Sequence, residues 1–260
     1  MDAAAAPRLL GVINLSPESM VSESIALSEP EILARAAWLA AEGCTIIDLG
    51  ARSITPSAAE VSDAEEQRRL LGPLGLLVRH GYRVSVDTWS AGTVLAAVAA
   101  GASVINFTGE TMPQEALRAI AAAGASLILT YMPYGDAYRM RTAAPVPYRI
   151  DGILAELQPR VAEAAKAGIG DIIIDPNLGI IHPSTSDHAK IQLQNRVLWN
   201  LNRLRVLGCP ILLYAARKPE PLARLLFASN VLHARPDYIR THHPDMLNQL
   251  MAADHNDKHS

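Results

Sequence analysis

The chain has 260 residues, half of them apolar, which is enough for one large domain or two small ones and excludes a disordered chain. Its 23 basic and 26 acidic residues leave a net charge of −3 at pH 7, which argues against nucleic acid or an anionic membrane as the main partner. No apolar run approaches the roughly 20 residues that span a bilayer, and the N-terminus lacks the features of a signal peptide.

Eight apolar runs rich in β-branched residues recur along the chain and predict eight strands. In chain order they are Leu9–Ile13, Thr45–Leu49, Arg83–Val86, Ser103–Asn106, Ser126–Tyr131, Asp171–Asp175, Pro210–Tyr214 and Asp237–Arg240. Stretches rich in alanine and leucine predict helices between them, at Pro30–Glu42, Asp63–His80, Ala91–Ala100, Pro113–Ala123, Gly152–Ala167 and His188–Leu207. The strand runs are nearly continuous, which is typical of a parallel sheet that is covered on both faces.

The spacing of these units predicts a closed sheet. Successive strand ends lie about 32 residues apart, which is the length of one strand followed by one helix. Eight such units predict a single α/β domain with the (β/α)8, or TIM-barrel, fold over residues 8–250. An open, doubly wound sheet is the alternative. The last residues, Met251–Ser260, are expected to form a frayed polar C-terminal tail.

The two cysteines, Cys44 and Cys209, each lie beside a predicted buried strand. Neither has a partner at the spacing of a metal-binding motif. Both are therefore predicted to be small core residues, and this usage favours the reducing cytoplasm over a disulfide-bonded, secreted protein.

A polar residue stands at or near the end of every predicted strand. In TIM barrels the carboxyl ends of the strands carry the catalytic groups, so these residues are candidates by position: Asn14, Asp48, Asp87, Asn106, Tyr131, Asp175, Tyr214 and Arg240. A single residue of this kind can also cap the next helix. The convergence of three acids, two amides and basic groups on one opening favours a functional site.

Part of this set suits a planar heterocycle that presents several hydrogen-bond donors. Asp87 and Asp175 can accept short, charge-assisted hydrogen bonds from the amino-pyrimidinone edge of a pterin or a purine. Asn106 offers a donor and an acceptor to the same ring system. Lys218, just after the seventh strand, can donate to a ring carbonyl or nitrogen.

A second part of the set suits phosphate. Asn14 can supply a carbonyl oxygen to Mg²⁺, a hard ion that often bridges phosphates. Arg240 ends the eighth strand and His242 follows it, near where barrels commonly bind phosphate, although a surface ion pair is the alternative for both. The turn Asn14–Pro17 is neither a G-x-G-x-x-G motif nor a P-loop, which disfavours a nicotinamide enzyme.

Short motifs surround these residues, and their order along the chain is informative. They are Gly11–Ser19, Ile47–Gly50, Ser85–Thr88, Ile105–Asn106, Asp175–Pro176 with Gly179, Asn195, Arg217–Lys218 and Arg240–His242. The ordered set, which extends from Leu10 to about Met246, resembles the dihydropteroate synthase family.

The resemblance implies a single-domain (β/α)8 barrel, usually dimeric, that acts as a transferase in folate biosynthesis. Such an enzyme joins a dihydropterin-methyl pyrophosphate to the amine of p-aminobenzoate and releases pyrophosphate. The residues implied to bind the pterin are Asp87, Asn106, Asp175 and Lys218. Those implied to bind pyrophosphate, with Mg²⁺ at Asn14, are Asn14, Arg240 and His242. The implied catalytic residues are Lys218, Arg240 and His242. Catalysis would rest on electrostatic stabilisation of the leaving group rather than on a protein nucleophile.

The loop after the second strand departs from the family pattern. The family reads Gly-Gly-Glu-Ser-Thr-Arg-Pro there, whereas this chain has Ile54 and Thr55 in place of the Thr-Arg pair. Two interpretations follow. One is a synthase that accepts a different arylamine, for instance in a methanopterin-like cofactor pathway, with Arg52 or Arg217 supplying the missing cation. The other is a pterin-binding protein that no longer forms the bond, or a pterin-dependent methyltransferase.

Overall fold

A computed structural model of the chain describes residues 6–19, 21–54, 58–215, 218 and 220–256. The strands are β1 Arg8–Asn14, β2 Cys44–Gly50, β3 Val84–Thr88, β4 Val104–Phe107, β5 Ser126–Thr130, β6 Ile172–Asp175, β7 Leu212–Tyr214 and β8 Tyr238–Thr241. The helices are α1 Glu29–Ala41, α2 Asp63–Arg79, α3 Ala91–Ala99, α4 Gln114–Ala122, α5 Ile150–Lys166, α6 Asp187–Trp199, α7 Pro221–His233 and α8 Pro244–Asn256. Short 3₁₀ helices lie at Ser22–Ser24, Arg139–Arg141 and Leu201–Leu207.

Local sequence signals set where several helices begin. Ser28 and Glu31 form a capping box before α1, in which the Glu31 carboxylate accepts from the Ser28 amide at 2.9 Å. Ser62 caps α2 by accepting from the amide of Glu65 at 3.3 Å. These side chains satisfy amide groups that the first helical turn leaves without partners, and they fix how each helix leaves the preceding loop.

The strands form one parallel sheet in the order β6-β5-β4-β3-β2-β1-β8-β7. Its two outer strands meet through a bridge between Ile174 and Ile211, where the amide of Ile174 donates to the carbonyl of Pro210 at 2.9 Å. The sheet therefore closes on itself. The predicted single (β/α)8 TIM barrel is confirmed, and the alternative of an open, doubly wound sheet is wrong.

The inside of the barrel contains an apolar layer beneath a polar one. The apolar layer consists of buried side chains from seven strands, namely Leu10, Ile46, Val104, Ile128, Ile173, Leu212 and Tyr238. Two positions further along six of these strands stand Asp48, Asn106, Thr130, Asp175, Tyr214 and Arg240. Because side chains along a strand alternate between its two faces, residues two apart point to the same side. The strands thus direct these polar side chains into the mouth of the barrel, the opening at the carboxyl ends of the strands, and the apolar layer lies below them.

A larger apolar core lies between the strands and the surrounding helices. Ile47 and Leu49 of β2 are buried there together with Leu39, Leu70 and Leu77 from α1 and α2. Truncating a buried leucine of this kind to alanine typically costs about 2–5 kcal/mol of unfolding free energy. This core keeps the strand ends in fixed register beneath the mouth.

Two predicted elements were wrong. The helix predicted at His188–Leu207 is two elements, because α6 ends at Trp199 and a 3₁₀ helix follows Asn200. The amide side chain of Asn200 donates to the carbonyl of Arg196 at 2.8 Å, a contact that competes with continuation of the helix.

The C-terminal tail predicted at Met251–Ser260 is also corrected. Residues 251–256 belong to α8, whose Met246, Leu250 and Met251 side chains pack against the core, and residues 257–260 lie outside the described part of the chain. Apolar packing of this face explains why the helix extends beyond residue 250.

Both cysteines have free thiols. Cys44 is buried, and burial raises the pKa of its thiol to about 12. Cys209 is half-buried. Within the described residues, no helix is both long enough and apolar enough to cross a membrane.

Candidate active site

Four residues in lateral register form one side of the mouth. Asn14, Gly50, Asp87 and Asn106 are paired with one another across β1 to β4. Gly50 keeps this side open: a Cβ atom placed there would lie 3.8 Å from Asn14 Oδ1 and 4.0 Å from Asp87 Oδ2. The Asn14 and Asp87 side chains therefore line one opening.

Arg240 joins two acids at the centre of the mouth. Its Nε donates to Asp48 Oδ2 at 2.6 Å, and its Nη2 donates to Asp87 Oδ2 at 2.9 Å. Asp48 is fully buried, and 15% of the Arg240 side chain is exposed. Burial on its own lowers the pKa of Arg240, but the charges of Asp48 and Asp87 outweigh it and raise that pKa above its usual value. The guanidinium is thus permanently charged and held in a fixed plane.

Asp87 has a perturbed carboxyl group. Burial is the main cause that raises its pKa to about 6, Arg240 acts in the opposite direction, and Asp48 adds to the rise. The second oxygen of Asp87 accepts from Thr108 Oγ1 at 3.1 Å. Both oxygens of Asp87 are therefore engaged by side chains from β8 and from the loop after β4.

Asp175 ends β6 and belongs to the same electrostatic site. Burial raises its pKa to about 7, against the opposing effects of a 2.7 Å hydrogen bond from the Asn177 amide and of the Arg240 charge. The charges of Asp87 and Asp48 add to the rise. Three carboxyl groups consequently share the influence of one guanidinium, which makes the mouth rich in acceptors and suited to a ligand with several N–H donors.

Asn106 is buried next to these acids. Its Nδ2 lies 3.5 Å from Asp48 Oδ2, and its Oδ1 accepts from Thr130 Oγ1 at 3.4 Å. Both contacts are long for hydrogen bonds. Asn106 is therefore oriented by its neighbours without being tightly bound to either of them.

Asn14 is oriented by the loop after β1. Its Nδ2 donates to Ser24 Oγ at 2.6 Å, and that hydroxyl donates to the carbonyl of Val21 at 2.7 Å. The amide of Asn14 is thereby fixed with its oxygen on the side of Gly50. The described residues contain no group of three His, Cys, Asp or Glu side chains that would hold a metal ion. A single amide oxygen suits Mg²⁺ when phosphate oxygens supply the other ligands.

His242 lies just after β8 and is buried. Its ring meets the ring of Tyr214 edge-on at a centroid distance of 5.8 Å, and its carbonyl accepts from Arg35 Nη2 at 2.8 Å. The Arg240 guanidinium lies 5.3 Å from the centre of the Tyr214 ring. Tyr214 therefore contacts the two basic residues that the family resemblance predicts to bind pyrophosphate.

Lys218 is not brought to the acids of the mouth. Its Nζ is hydrogen-bonded to Gln194 Oε1 of α6 and lies 4.1 Å from the centre of the Phe227 ring of α7. Burial lowers the pKa of Lys218 to about 8. The ammonium group thus faces the outer helices in this structure.

Arg52 is also directed away from the mouth. Its guanidinium is paired with Asp63 and lies 3.0 Å from Glu66, and it packs 4.7 Å from the centre of the Trp89 ring. Only 4% of its side chain is exposed. Arg52 therefore anchors α2 and does not take the place of the missing family cation, whereas Arg217, the other candidate, lies outside the described residues.

Several residues contribute to the site beyond those given a specific role from the sequence. Asp48 and Tyr214 were candidates by position only, and both contact Arg240. The period of two along β2 and β7 identifies both as inward-pointing. Thr108 lies in a loop and Ser24 in the short 3₁₀ helix Ser22–Ser24, where no periodic signal marks either residue.

The barrel and the acceptor-rich mouth agree with what comparisons with known proteins find. Residues 10–230 match the family model described as pterin binding enzyme, so the chain belongs to the pterin-binding enzymes.

Within that class, the chain belongs to the dihydropteroate synthase family. It is 30% identical to the dihydropteroate synthase of Mycobacterium leprae over 234 residues, covering 88% of this chain and 79% of the relative. The predicted family resemblance is confirmed.

Solved structures agree in fold. The dihydropteroate synthase of Yersinia pestis in a sulfonamide drug complex superposes with a TM-score of 0.81 at 24% identity, over 98% of this chain and 95% of that one. The Thermus thermophilus dihydropteroate synthase in complex with 4-aminobenzoate has a TM-score of 0.77 at 25% identity, over 96% and 93% of the two chains.

Proposed function

We propose that this chain is a transferase of the dihydropteroate synthase type, which joins a dihydropterin-methyl pyrophosphate to an arylamine and releases pyrophosphate. The observation that carries the proposal is the position of Arg240, which bonds Asp48 and Asp87 in a mouth shared with Asp175. Carboxylates that can accept hydrogen bonds from a heterocycle thus lie next to a guanidinium that can bind an anion. Membership of the dihydropteroate synthase family supports the same reaction.

The proposed pterin site consists of Asp87, Asn106, Asp175 and Lys218. Burial raises the pKa values of Asp87 and Asp175, so a neutral ligand with N–H donors stabilises the charged carboxylates by hydrogen bonding. Asn106 lies between these acids and can turn its amide toward the ring. Lys218 joins the set when its Nζ exchanges Gln194 for an acceptor on the pterin.

The proposed pyrophosphate site consists of Asn14, Arg240 and His242. Mg²⁺, held by the amide oxygen of Asn14 together with pyrophosphate oxygens, would neutralise part of the charge on the leaving group. Arg240 supplies a fixed positive charge beside it. As the amine nitrogen bonds to the exocyclic carbon of the pterin, the bond from that carbon to the pyrophosphate oxygen breaks, and the amine gives its proton to solvent.

The proposed amine substrate is p-aminobenzoate or a related arylamine. The Thermus thermophilus relative, which was solved with 4-aminobenzoate, supports this class. An arylamine of a methanopterin-like pathway is the second possibility, because Ile54, in the loop after β2, replaces a polar residue of the family pattern. Arg52 forms ion pairs with Asp63 and Glu66 and so does not replace the missing family cation. This favours a second candidate function, a pterin-binding protein or methyltransferase that forms no bond to an amine.

A titration distinguishes these functions. We expect pterin to bind about tenfold more tightly in the presence of pyrophosphate and Mg²⁺, which corresponds to a coupling free energy of about 1.4 kcal/mol. Isothermal titration calorimetry with each ligand alone and with all three measures this coupling. A pterin Kd that is the same with and without pyrophosphate and Mg²⁺ favours the second candidate function. Pyrophosphate release from dihydropterin-methyl pyrophosphate with a panel of arylamines then identifies the acceptor.

A homodimer is part of the proposal. Large apolar side chains of α6 and α7 are exposed to solvent, with 77% of Trp199, 67% of Leu222 and 58% of Leu226 accessible. Leu222 and Leu226 are one turn apart on α7 and form an apolar stripe. A second copy of the chain would cover this surface. The free thiols of Cys44 and Cys209 suit the cytoplasm, which we propose as the location of the dimer.

Removing the stripe is expected to separate the dimer. Analytical ultracentrifugation of the unmodified protein at micromolar concentration should show a dimer, and the variant Leu222→Gln/Leu226→Gln should shift it to monomer, since the change adds polar groups to the proposed interface. Leu27→Gln is the matched control, because Leu27 is 56% exposed on the loop before α1. An unmodified protein that sediments as a monomer contradicts the dimer.

A further inference from the structure

An ion pair on the outside of the barrel binds the ends of β4, which carries Asn106 of the proposed pterin site, and of β5, which lies next to the strand that carries Asp175. Arg160 and Glu156 lie one turn apart on α5, with 2.6 Å between Arg160 Nη1 and Glu156 Oε1. Only 12% and 16% of their side chains are exposed. Neither residue lines the mouth, and the proposed reaction gives neither a role.

The guanidinium of Arg160 binds backbone groups of two neighbouring strands. Its Nη1 donates to the carbonyl of Thr130, the last residue of β5, at 2.8 Å. Its Nη2 donates at 2.8 Å to the carbonyl of Gly109, two residues beyond β4. Glu156 Oε1 accepts from the amide of Met132 at 3.0 Å. The pair therefore satisfies three backbone groups just where the sheet hydrogen bonds end.

The residues that Arg160 holds are connected directly to the proposed pterin site. The hydroxyl of Thr130 donates to Asn106 Oδ1 at 3.4 Å, and Thr130 is in lateral register with Asp175 across β5 and β6. The amide of Tyr131 donates to the carbonyl of Asp175 at 2.8 Å. A displacement of the β5 end would consequently move both an amide and a carboxylate that face the pterin.

We propose that Arg160, held by Glu156, is a positioning residue that fixes the ends of β4 and β5 and with them the pterin-binding side chains Asn106 and Asp175. This role rests on the proposed pterin site. A planar guanidinium suits the task because two nitrogens in one rigid plane hold two carbonyls at a fixed separation. Lysine has one nitrogen on a flexible chain and cannot reproduce that constraint.

The test compares Arg160→Lys with a variant of an exposed ion pair on the same helix. Arg160→Lys keeps the charge opposite Glu156, and we expect it to weaken pterin binding and raise the KM for dihydropterin-methyl pyrophosphate by about tenfold, as displacement of binding groups does. The KM for the arylamine should stay within about twofold, because the two strand ends that Arg160 binds lead to residues of the proposed pterin site. Asp151→Asn is the control, since Asp151 pairs with Arg203 on the exposed face of α5.

The pterin Kd of the folded Arg160→Lys protein and a double variant separate positioning from a purely structural role. A purely structural role would lower the melting temperature and the amount of active protein but leave the pterin Kd of the folded fraction unchanged. The variant Thr130→Val removes the hydroxyl link to Asn106, and in combination with Arg160→Lys its effect on pterin Kd should be smaller than the sum of the two, because both act on one connection.

The outcomes distinguish this role from the proposed function. Unmodified protein that binds no pterin contradicts both the proposed function and the positioning role. Unmodified protein that binds pterin, together with an unchanged Kd in Arg160→Lys, contradicts the positioning role alone. Should Arg160→Lys fail to fold, Glu156→Gln decides: it keeps the acceptor for Met132 but removes the charge that holds Arg160, and a rise of about threefold in pterin Kd is expected. An unchanged Kd in that variant overturns the role.

Discussion

Replacing Arg240 with methionine is expected to lower the free energy of unfolding by about 3–5 kcal/mol, because the change leaves the buried carboxylate of Asp48 without its cation. Asp48 is fully buried, and Arg240 is within 2.6 Å of it and 2.9 Å of Asp87. Turnover should fall by about 10²-fold or more, since the fixed charge beside the leaving pyrophosphate is lost as well. Chemical denaturation and pyrophosphate release measure the two effects.

Two further variants show whether the buried charge is the cause. Arg205→Met removes an ion pair in which 46% and 38% of the side chains are exposed, and its effect should stay within about 1 kcal/mol. In Asp48→Asn/Arg240→Met the buried negative charge is removed together with its partner, so part of the lost stability should return. If Arg240→Met is as stable as Arg205→Met, the pair with Asp48 does not support the fold.

The barrel and the direction of its polar side chains could be predicted from the sequence because both depend on short-range periodicity. The eight apolar runs fix the number of strands, and the step of two from Ile173 to Asp175 or from Val104 to Asn106 decides that these side chains face inward. The motifs that resemble those of the dihydropteroate synthases include the same residues, Asn106 and Asp175. Position at the strand ends therefore predicted most of the residues that reach the mouth, but it named Tyr131, which is buried in the outer core, whereas the inward residue of β5 is Thr130.

Partners within the mouth could not be predicted, because they depend on the stagger of the strands around the barrel. Arg240 is in lateral register with Leu10 on β1, yet its long side chain reaches acids on β2 and β3. The sequence predicted Arg240 as an anion-binding residue and did not indicate its two carboxylates. Side-chain reach across several strands leaves no signal in a single sequence.

The partners of Lys218 and Arg52, which lie in loops, could not be predicted from the sequence either. Each follows a strand by a few residues, so each was a reasonable candidate to face the mouth. A buried amide of α6 binds Lys218, and two acids of α2 bind Arg52. Competition between partners in the helices and partners in the mouth decides such cases, and it depends on packing that local sequence does not encode.

Replacing Asp175 with asparagine is expected to abolish pterin binding while the fold is kept. The asparagine oxygen can still accept the 2.7 Å hydrogen bond from the Asn177 amide, so the turn after β6 stays intact. The new NH₂ group, however, would face a ligand N–H where a carboxylate oxygen stood, which costs at least about 1.5–3 kcal/mol of binding free energy. Calorimetric titration with pterin measures the loss, and unaltered affinity would exclude Asp175 from the pterin site.

The same variant should be more stable than the unmodified protein at neutral and higher pH. Burial raises the pKa of Asp175 from 3.8 to about 7, so the folded protein keeps a proton that the unfolded chain has already lost. Stability of the unmodified protein therefore falls as the pH rises between these two values and then levels off. Asparagine does not ionise, so Asp175→Asn should gain about 1–3 kcal/mol over the unmodified protein at about pH 8 and little at about pH 4. Urea denaturation of both proteins at these two pH values checks the sign. If Asp175→Asn and the unmodified protein are equally stable at about pH 8, ionising the buried Asp175 carboxyl costs the fold little, which contradicts the prediction.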